Sequence, residues 1–129
     1  MQILTFLLDG EKFAVDISLV DTIENRMPIT VVPKSKKYVT GLISNRGAVI
    51  PLISTSLILK HKEQIKVFEK LIIINLGNEK FALEVDDIDD VLDIKEEDIK
   101  KVNENENLSI ININSNIITL LTYKDLKKI

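Results

Sequence analysis

Glu11-Lys12-Phe13-Ala14-Val15-Asp16-Ile17 returns, 68 residues further on, as Glu79-Lys80-Phe81-Ala82-Leu83-Glu84-Val85. The same offset carries Val20, Asp21 and Ile23 onto Ile88, Asp89 and Val91. At the far end of the unit it carries Val49-Ile50 onto Ile117-Ile118 and Leu52-Ile53 onto Leu120-Leu121. Matches at both ends with one spacing mark a duplicated module of about 60 residues. The expectation is one domain over 1–129, made of two repeated subdomains at approximately 1–60 and 69–129.

Each copy carries the same plan. Two apolar runs, Ile3 to Leu8 and Lys12 to Ile17, flank Asp9-Gly10. Asp-Gly between such runs is a strong hairpin signal, because both central residues need positive φ. The second copy repeats this with Leu71 to Leu76, Gly77-Asn78 and Lys80 to Val85. The next segments, Val20 to Ile23 and Ile88 to Leu92, admit either strand or a helical turn. Thr30 to Val32, between Pro28 and Pro33, reads as a strand, since proline forbids continuous helix there. The copy closes with two runs around a turn. These are Tyr38 to Ile43 and Ala48 to Ile53 around Asn45-Arg46-Gly47, then Leu108 to Ile113 and Asn116 to Leu121 around Asn114-Ser115. Five short strands per copy point to a small closed or partly closed barrel, which hides its edges. Helix is expected only in turns near Thr55 to Lys60, Glu96 to Lys101 and Tyr123 to Lys128. A barrel of this size is marginal alone, so two pack together and leave a groove at the seam.

Composition agrees. The chain holds 21 Ile and 10 Val but only 3 Ala, and β-branched side chains suit a pleated sheet better than a helix. It has no cysteine and one histidine, which excludes disulfides, a thiol nucleophile and Cys- or His-rich metal sites. A formal charge of −3 disfavours a nucleic-acid binder, which needs a basic face to displace phosphate counterions. No apolar run approaches the roughly 20 residues needed to cross a bilayer, and no signal peptide is visible. A cytoplasmic protein is expected. Charge is unevenly spread: residues 84–106 hold 11 acidic residues against three lysines. Lys60 to Lys70, with four lysines and His61, reads as the link between copies, and Asn103 to Asn107 as an exposed loop.

No constellation for chemistry emerges. The run Asp86-Asp87-Ile88-Asp89-Asp90-Val91-Leu92-Asp93 lacks the glycine and the terminal glutamate of a calcium-binding loop. It reads as a solvated edge with Ile88, Val91 and Leu92 buried. No Gly-x-Ser-x-Gly elbow, phosphate-binding glycine loop or nucleophile–base pair is present. The expectation is therefore no enzyme, no catalytic residue, no cofactor and no metal. One segment stands apart: Gly41-Leu42-Ile43-Ser44-Asn45-Arg46-Gly47-Ala48-Val49-Ile50-Pro51-Leu52-Ile53. It admits two readings. One is a plain turn between strands, with Pro51 at an edge or bulge. The other is a partner contact, because an exposed Arg offers a planar fork of directed donors.

This segment resembles the CheW family, the coupling proteins of bacterial chemotaxis. Gly41, Ile43, Arg46, Gly47, Val49, Ile50, Pro51 and Ile53 stand in register with its Gly-Val-Ile-Asn-Leu-Arg-Gly-x-Val-Ile-Pro-Val-Ile-Asp-Leu run. Phe13-Ala14-Val15-Asp16-Ile17 with Val20 and Ile23, Ile29-Thr30-Val31-Val32-Pro33, and Val85-Asp86-Asp87-Ile88 with Val91-Leu92-Asp93-Ile94 resemble further family elements in order. The resemblance implies an all-β fold of two tandem five-stranded SH3-like barrels packed side by side, with a few short helical turns. It implies a non-enzymatic adaptor joining the cytoplasmic tip of chemoreceptors to the regulatory domain of a CheA-type histidine kinase. The expected adaptor is monomeric in isolation and reaches receptor arrays only through its partners. It places Val20, Thr22, Asn45, Arg46 and Gly47 on the partner surface. Departures are Thr22 in place of a glutamate expected to partner Arg46, Asn45 in place of leucine, Ser54-Thr55-Ser56 in place of Asp-Leu-Arg, and no glycine near position 109. Asp21 or Glu24 could replace the missing partner. The alternatives are a divergent adaptor for another two-component pathway, such as surface motility or gene control, and a barrel that binds RNA or DNA.

Overall fold

A computed structural model describes residues 1–32, 38–55, 67–101 and 109–127. These form eleven strands: β1 Gln2–Leu8, β2 Glu11–Asp16, β3 Val20–Asn25, β4 Val39–Asn45, β5 Ala48–Ile53, β6 Lys70–Asn75, β7 Lys80–Val85, β8 Asp87–Asp93, β9 Ile99–Lys101, β10 Ser109–Ile113 and β11 Asn116–Leu121. A short helix spans Tyr123–Lys127, and 3₁₀ turns span Ile17–Leu19 and Glu96–Asp98. The undecided segments at Val20 and Ile88 are therefore strands. The turn expected over Glu96 to Lys101 is a 3₁₀ turn that runs straight into β9. Most of the lysine-rich link, His61, the helical turn beyond Thr55 and the Asn103–Asn107 loop lie outside the described residues.

The strands form two sheets, ordered β8-β1-β2-β11-β10-β9 and β3-β6-β7-β5-β4. The twin-sheet, all-β plan is as expected. The allocation of strands differs from one barrel per copy, because each sheet takes the first hairpin of one copy and the remaining strands of the other. The cause is local. After β2 the three-residue turn Ile17–Leu19, with Asp16 Oδ1 accepting from the Ser18 N–H at 2.9 Å, leads the chain into β3 of the opposite sheet. The hairpin then finds a parallel neighbour in the other copy. Leu120 and Leu121 of β11 align with Ala14 and Val15, as Leu52 and Ile53 of β5 align with Ala82 and Leu83. The first of these ladders also includes Thr119 opposite Phe13. Its counterpart stops one residue short, at Pro51, which has no N–H to offer.

The apolar side chains sort into three cores that obey the repeat. Ile3, Ala14, Ile111, Ile118 and Leu120 fill the six-stranded sheet. Their equivalents Leu71, Ala82, Ile43, Ile50 and Leu52 fill the five-stranded one. The third core lies between the sheets and is made of equivalent pairs: Leu4 with Ile72, Phe6 with Ile74, Phe13 with Phe81, Val15 with Leu83, and Ile53 with Leu121. The Phe6 and Phe13 rings stack with centroids 5.9 Å apart. Strands β1 and β6 serve two cores at once, so Ile3-Leu4-Thr5-Phe6 and Leu71-Ile72-Ile73-Ile74 are buried on both faces. That is why Leu71 to Ile74 reads as an unbroken apolar run and Ile3 to Phe6 as one interrupted only by Thr5.

Two expectations need correction. Thr30 to Val32 is not a strand among the described residues. Only Thr30 pairs, through an isolated bridge to Leu42 with N–H···O distances of 2.9 and 2.8 Å, and Pro28 lacks the donor to extend it. Val91 is not buried: it is 44% exposed, because it lies on the edge strand β8, which has no strand on its outer side.

Candidate docking site

The β4–β5 hairpin presents the segment singled out in the sequence. Asn45 pairs with Ala48, so the turn proper is Arg46-Gly47, with φ of +52° and +80°. Two successive positive φ values define the type I′ geometry that matches the twist of a hairpin. Gly47 takes this conformation without cost, and an added Cβ would meet nothing within 4 Å. Arg46 takes it with a side chain, which is unfavourable by roughly 1 kcal/mol or more. Asn45 is a half-buried strand residue, whereas Arg46, Gly47, Ala48 and Val49 are exposed, Val49 at 69%. Among the described residues no hydrogen-bond or ion-pair partner holds the Arg46 guanidinium. The hairpin thus ends in an unpaired cation beside an exposed aliphatic side chain.

Gly41 earlier in β4 has a different task. A Cβ there would come within 2.5 Å of Ile29 Cγ2 and 2.8 Å of the Thr30 carbonyl oxygen. Glycine is what lets the Ile29–Thr30 backbone cross β4 closely enough to form the Thr30–Leu42 bridge. The equivalent position, Ser109, faces a regular ladder in which Lys101, Lys100 and Ile99 pair with Ser109, Ile110 and Ile111. A side chain is accommodated there.

Val20 and Thr22 lie on β3, at the opposite margin of the same five-stranded sheet. Val20 packs against the central core. Ile23, opposite Ile72 of that core, is 43% exposed and lies at its rim, as does Val91 opposite Leu4. Thr22 donates through Oγ1 to Glu24 Oε1 at 3.1 Å, and Asp21 pairs with Lys80 at 3.3 Å. Both suggested replacements for the missing partner of Arg46 are thus engaged elsewhere. The structure gathers Val20 and Thr22 on one strand and Asn45, Arg46 and Gly47 at one hairpin tip. It joins the two groups by no described hydrogen bond or ion pair. Sequence reasoning did not single out Val49 or the outward face of Ile23. No sequence signal marked either, since their exposed counterparts at the repeat offset, Ile117 at 62% and Val91 at 44%, are likewise aliphatic residues within apolar strands.

The acidic run on β8 makes structural contacts. Asp86 Oδ2 accepts from the Asp9 N–H at 2.8 Å, and Asp89 accepts from Thr5 Oγ1 at 3.0 Å and pairs with Lys12 at 3.4 Å. Its many exposed carboxylates suit an edge strand, where charge discourages pairing with other chains. Among the described residues no helix is long and apolar enough to cross a membrane.

Residues 2–126 match the CheW-like domain family. A chemotaxis protein CheW of Thermotoga maritima is 28% identical over 102 residues, covering 79% of this chain and 68% of that protein. The chemotaxis protein CheW of Rhizobium meliloti is 30% identical over 100 residues, covering 77% of this chain and 64% of that protein. The chain thus spans about two thirds of the length of these relatives. The crystal structure of the scaffolding protein TtCheW from Thermoanaerobacter tengcongensis superposes with a TM-score of 0.79 at 24% identity. That superposition covers 92% of this chain and 86% of the other, and at this identity it speaks for the fold.

Proposed function

Since the chain belongs to the CheW-like domain family, we propose that it is a non-catalytic adaptor of chemotaxis signalling in the cytoplasm. It couples the cytoplasmic tips of chemoreceptors to the regulatory domain of a CheA-type histidine kinase. Relatives that are chemotaxis proteins favour this pathway over surface motility or gene control. The observation that carries the reading is the Arg46-Gly47 tip. A guanidinium is held outward in a strained turn, with no described partner, beside 69% exposed Val49. Arg is enriched at interaction hot spots, because its planar fork offers several directed donors. Val20 and Thr22 on β3 form the second contact. Arg46, Asn45 and Gly47 then act as one docking tip, and a single copy of the chain suffices.

The test is binding of the purified full chain to a receptor cytoplasmic tip and to a kinase regulatory domain, each by calorimetry. Both are expected to bind. Arg46→Glu is expected to weaken at least one of them about 10-fold or more, the loss of a charge-assisted hydrogen bond worth about 1.5–3 kcal/mol. Its melting temperature should stay close to wild type, since an exposed residue without partners contributes little to folding. A wild-type chain that binds neither probe would sink the proposal. A large stability loss with intact binding would make Arg46 a structural residue.

A further inference from the structure

The duplication reappears as a pair of ion bridges. Lys80 Nζ lies 3.3 Å from Asp21 Oδ2, and Lys12 Nζ lies 3.4 Å from Asp89 Oδ2. Both lysines and both aspartates are repeat equivalents, and each bridge joins the hairpin of one copy to a strand of the other. Both aspartates also sit at bulges. Val20 and Thr22 oppose the adjacent residues Ile74 and Ile73, which leaves Asp21 between them without a ladder partner. Ile88 and Asp90 oppose Phe6 and Thr5, which leaves Asp89 in the same position. A bulge re-aims the side chains on either side of it. On β3 those side chains are Val20 and Thr22.

The two bulges are anchored differently. Asp89 is held twice, by Lys12 and by the buried Thr5 hydroxyl, which also accepts from the Asp90 N–H at 2.9 Å. The repeat equivalent of Thr5 is Ile73, which offers no polar group. Among the described residues Asp21 is therefore held by Lys80 alone. We infer that Lys80, in the second copy, is a positioning residue for docking at the first: through Asp21 it fixes the β3 bulge that aims Val20 and Thr22. The inference rests on the reading of β3 as a partner-contact strand.

The test uses the full chain with Lys80→Ala, Asp21→Ala and the reversed pair Lys80→Asp with Asp21→Lys. The readouts are affinity for the receptor tip and the kinase regulatory domain, and hydrogen exchange at the Thr22 and Ile23 amides. Each single variant is expected to weaken one partner about two- to fivefold, the range set by one exposed ion pair, and to speed exchange at both amides. The reversed pair is expected to restore both readouts, and Lys12→Ala to leave them at wild-type values. Wild-type affinity in Lys80→Ala would overturn the inference. So would weakened binding with unchanged exchange, which would make Lys80 a direct contact. If the wild-type chain binds neither probe, the adaptor reading fails separately. Exchange then decides the structural half alone: faster in Lys80→Ala and restored in the reversed pair upholds Lys80 as the anchor of the β3 bulge, and unchanged overturns it.

Discussion

Gly41→Ala is the sharpest test of how the five-stranded sheet is completed. The added methyl would meet two neighbours, Ile29 Cγ2 at 2.5 Å and the Thr30 carbonyl oxygen at 2.8 Å. The first can yield, because Ile29 is 37% exposed and its side chain has room to rotate. The second cannot yield without moving backbone. If the Ile29–Thr30 segment stays, the overpacking costs about 1–3 kcal/mol. If it retreats, both hydrogen bonds of the Thr30–Leu42 bridge are lost, at about 1 kcal/mol each. Either route gives about 2 kcal/mol. For a domain of this size that lowers the melting temperature by roughly 5–12 °C. Urea denaturation should show a lower midpoint with an unchanged slope, since the surface exposed on unfolding is the same. A Gly41→Ala chain with the wild-type midpoint would refute the close crossing, and with it the bridge that ends this sheet.

Two further outcomes follow from particular contacts. Arg46→Gly should raise stability by up to about 1 kcal/mol in denaturant titration, by relieving a side chain at positive φ, while weakening partner binding in the calorimetric assay. A variant that loses both would show that Arg46 holds the hairpin together. Thr5→Val keeps the shape of a fully buried side chain but strips the Asp90 N–H of its acceptor. It should destabilise by about 1–2 kcal/mol on chemical denaturation, and a neutral or stabilising result would show that the buried hydroxyl is dispensable.

Local elements were legible because local chemistry sets them. Ala48–Ile53 and Asn116–Leu121 are strands over the same residues that the apolar runs mark. Asp9-Gly10 and Arg46-Gly47 turn where positive φ is required. Burial within a strand was less legible. Val91 keeps the apolar character of a core residue but lies on an edge, and nothing in a period-2 pattern says whether a sheet face is covered. The candidate site was read in two pieces. The hairpin tip could be located from turn chemistry. Nothing in the linear order shows that Asp21 is taken by Lys80 and so is not left for Arg46.

The chain alone carries matching residues at an offset of 68, turn chemistry between its apolar runs, and apolar residues that suit sheet. Those properties depend on neighbours within a few residues and on an offset that can be read directly. Tertiary structure decided which copy each hairpin joins. A strand's backbone pairs equally well with any strand of suitable face, so pairing partners are chosen by the cores that close around them. Here one shared core between the sheets, built from equivalent residues of both copies, is completed by exchange of the two hairpins. The same exchange brings Lys80 of one copy to the docking strand of the other.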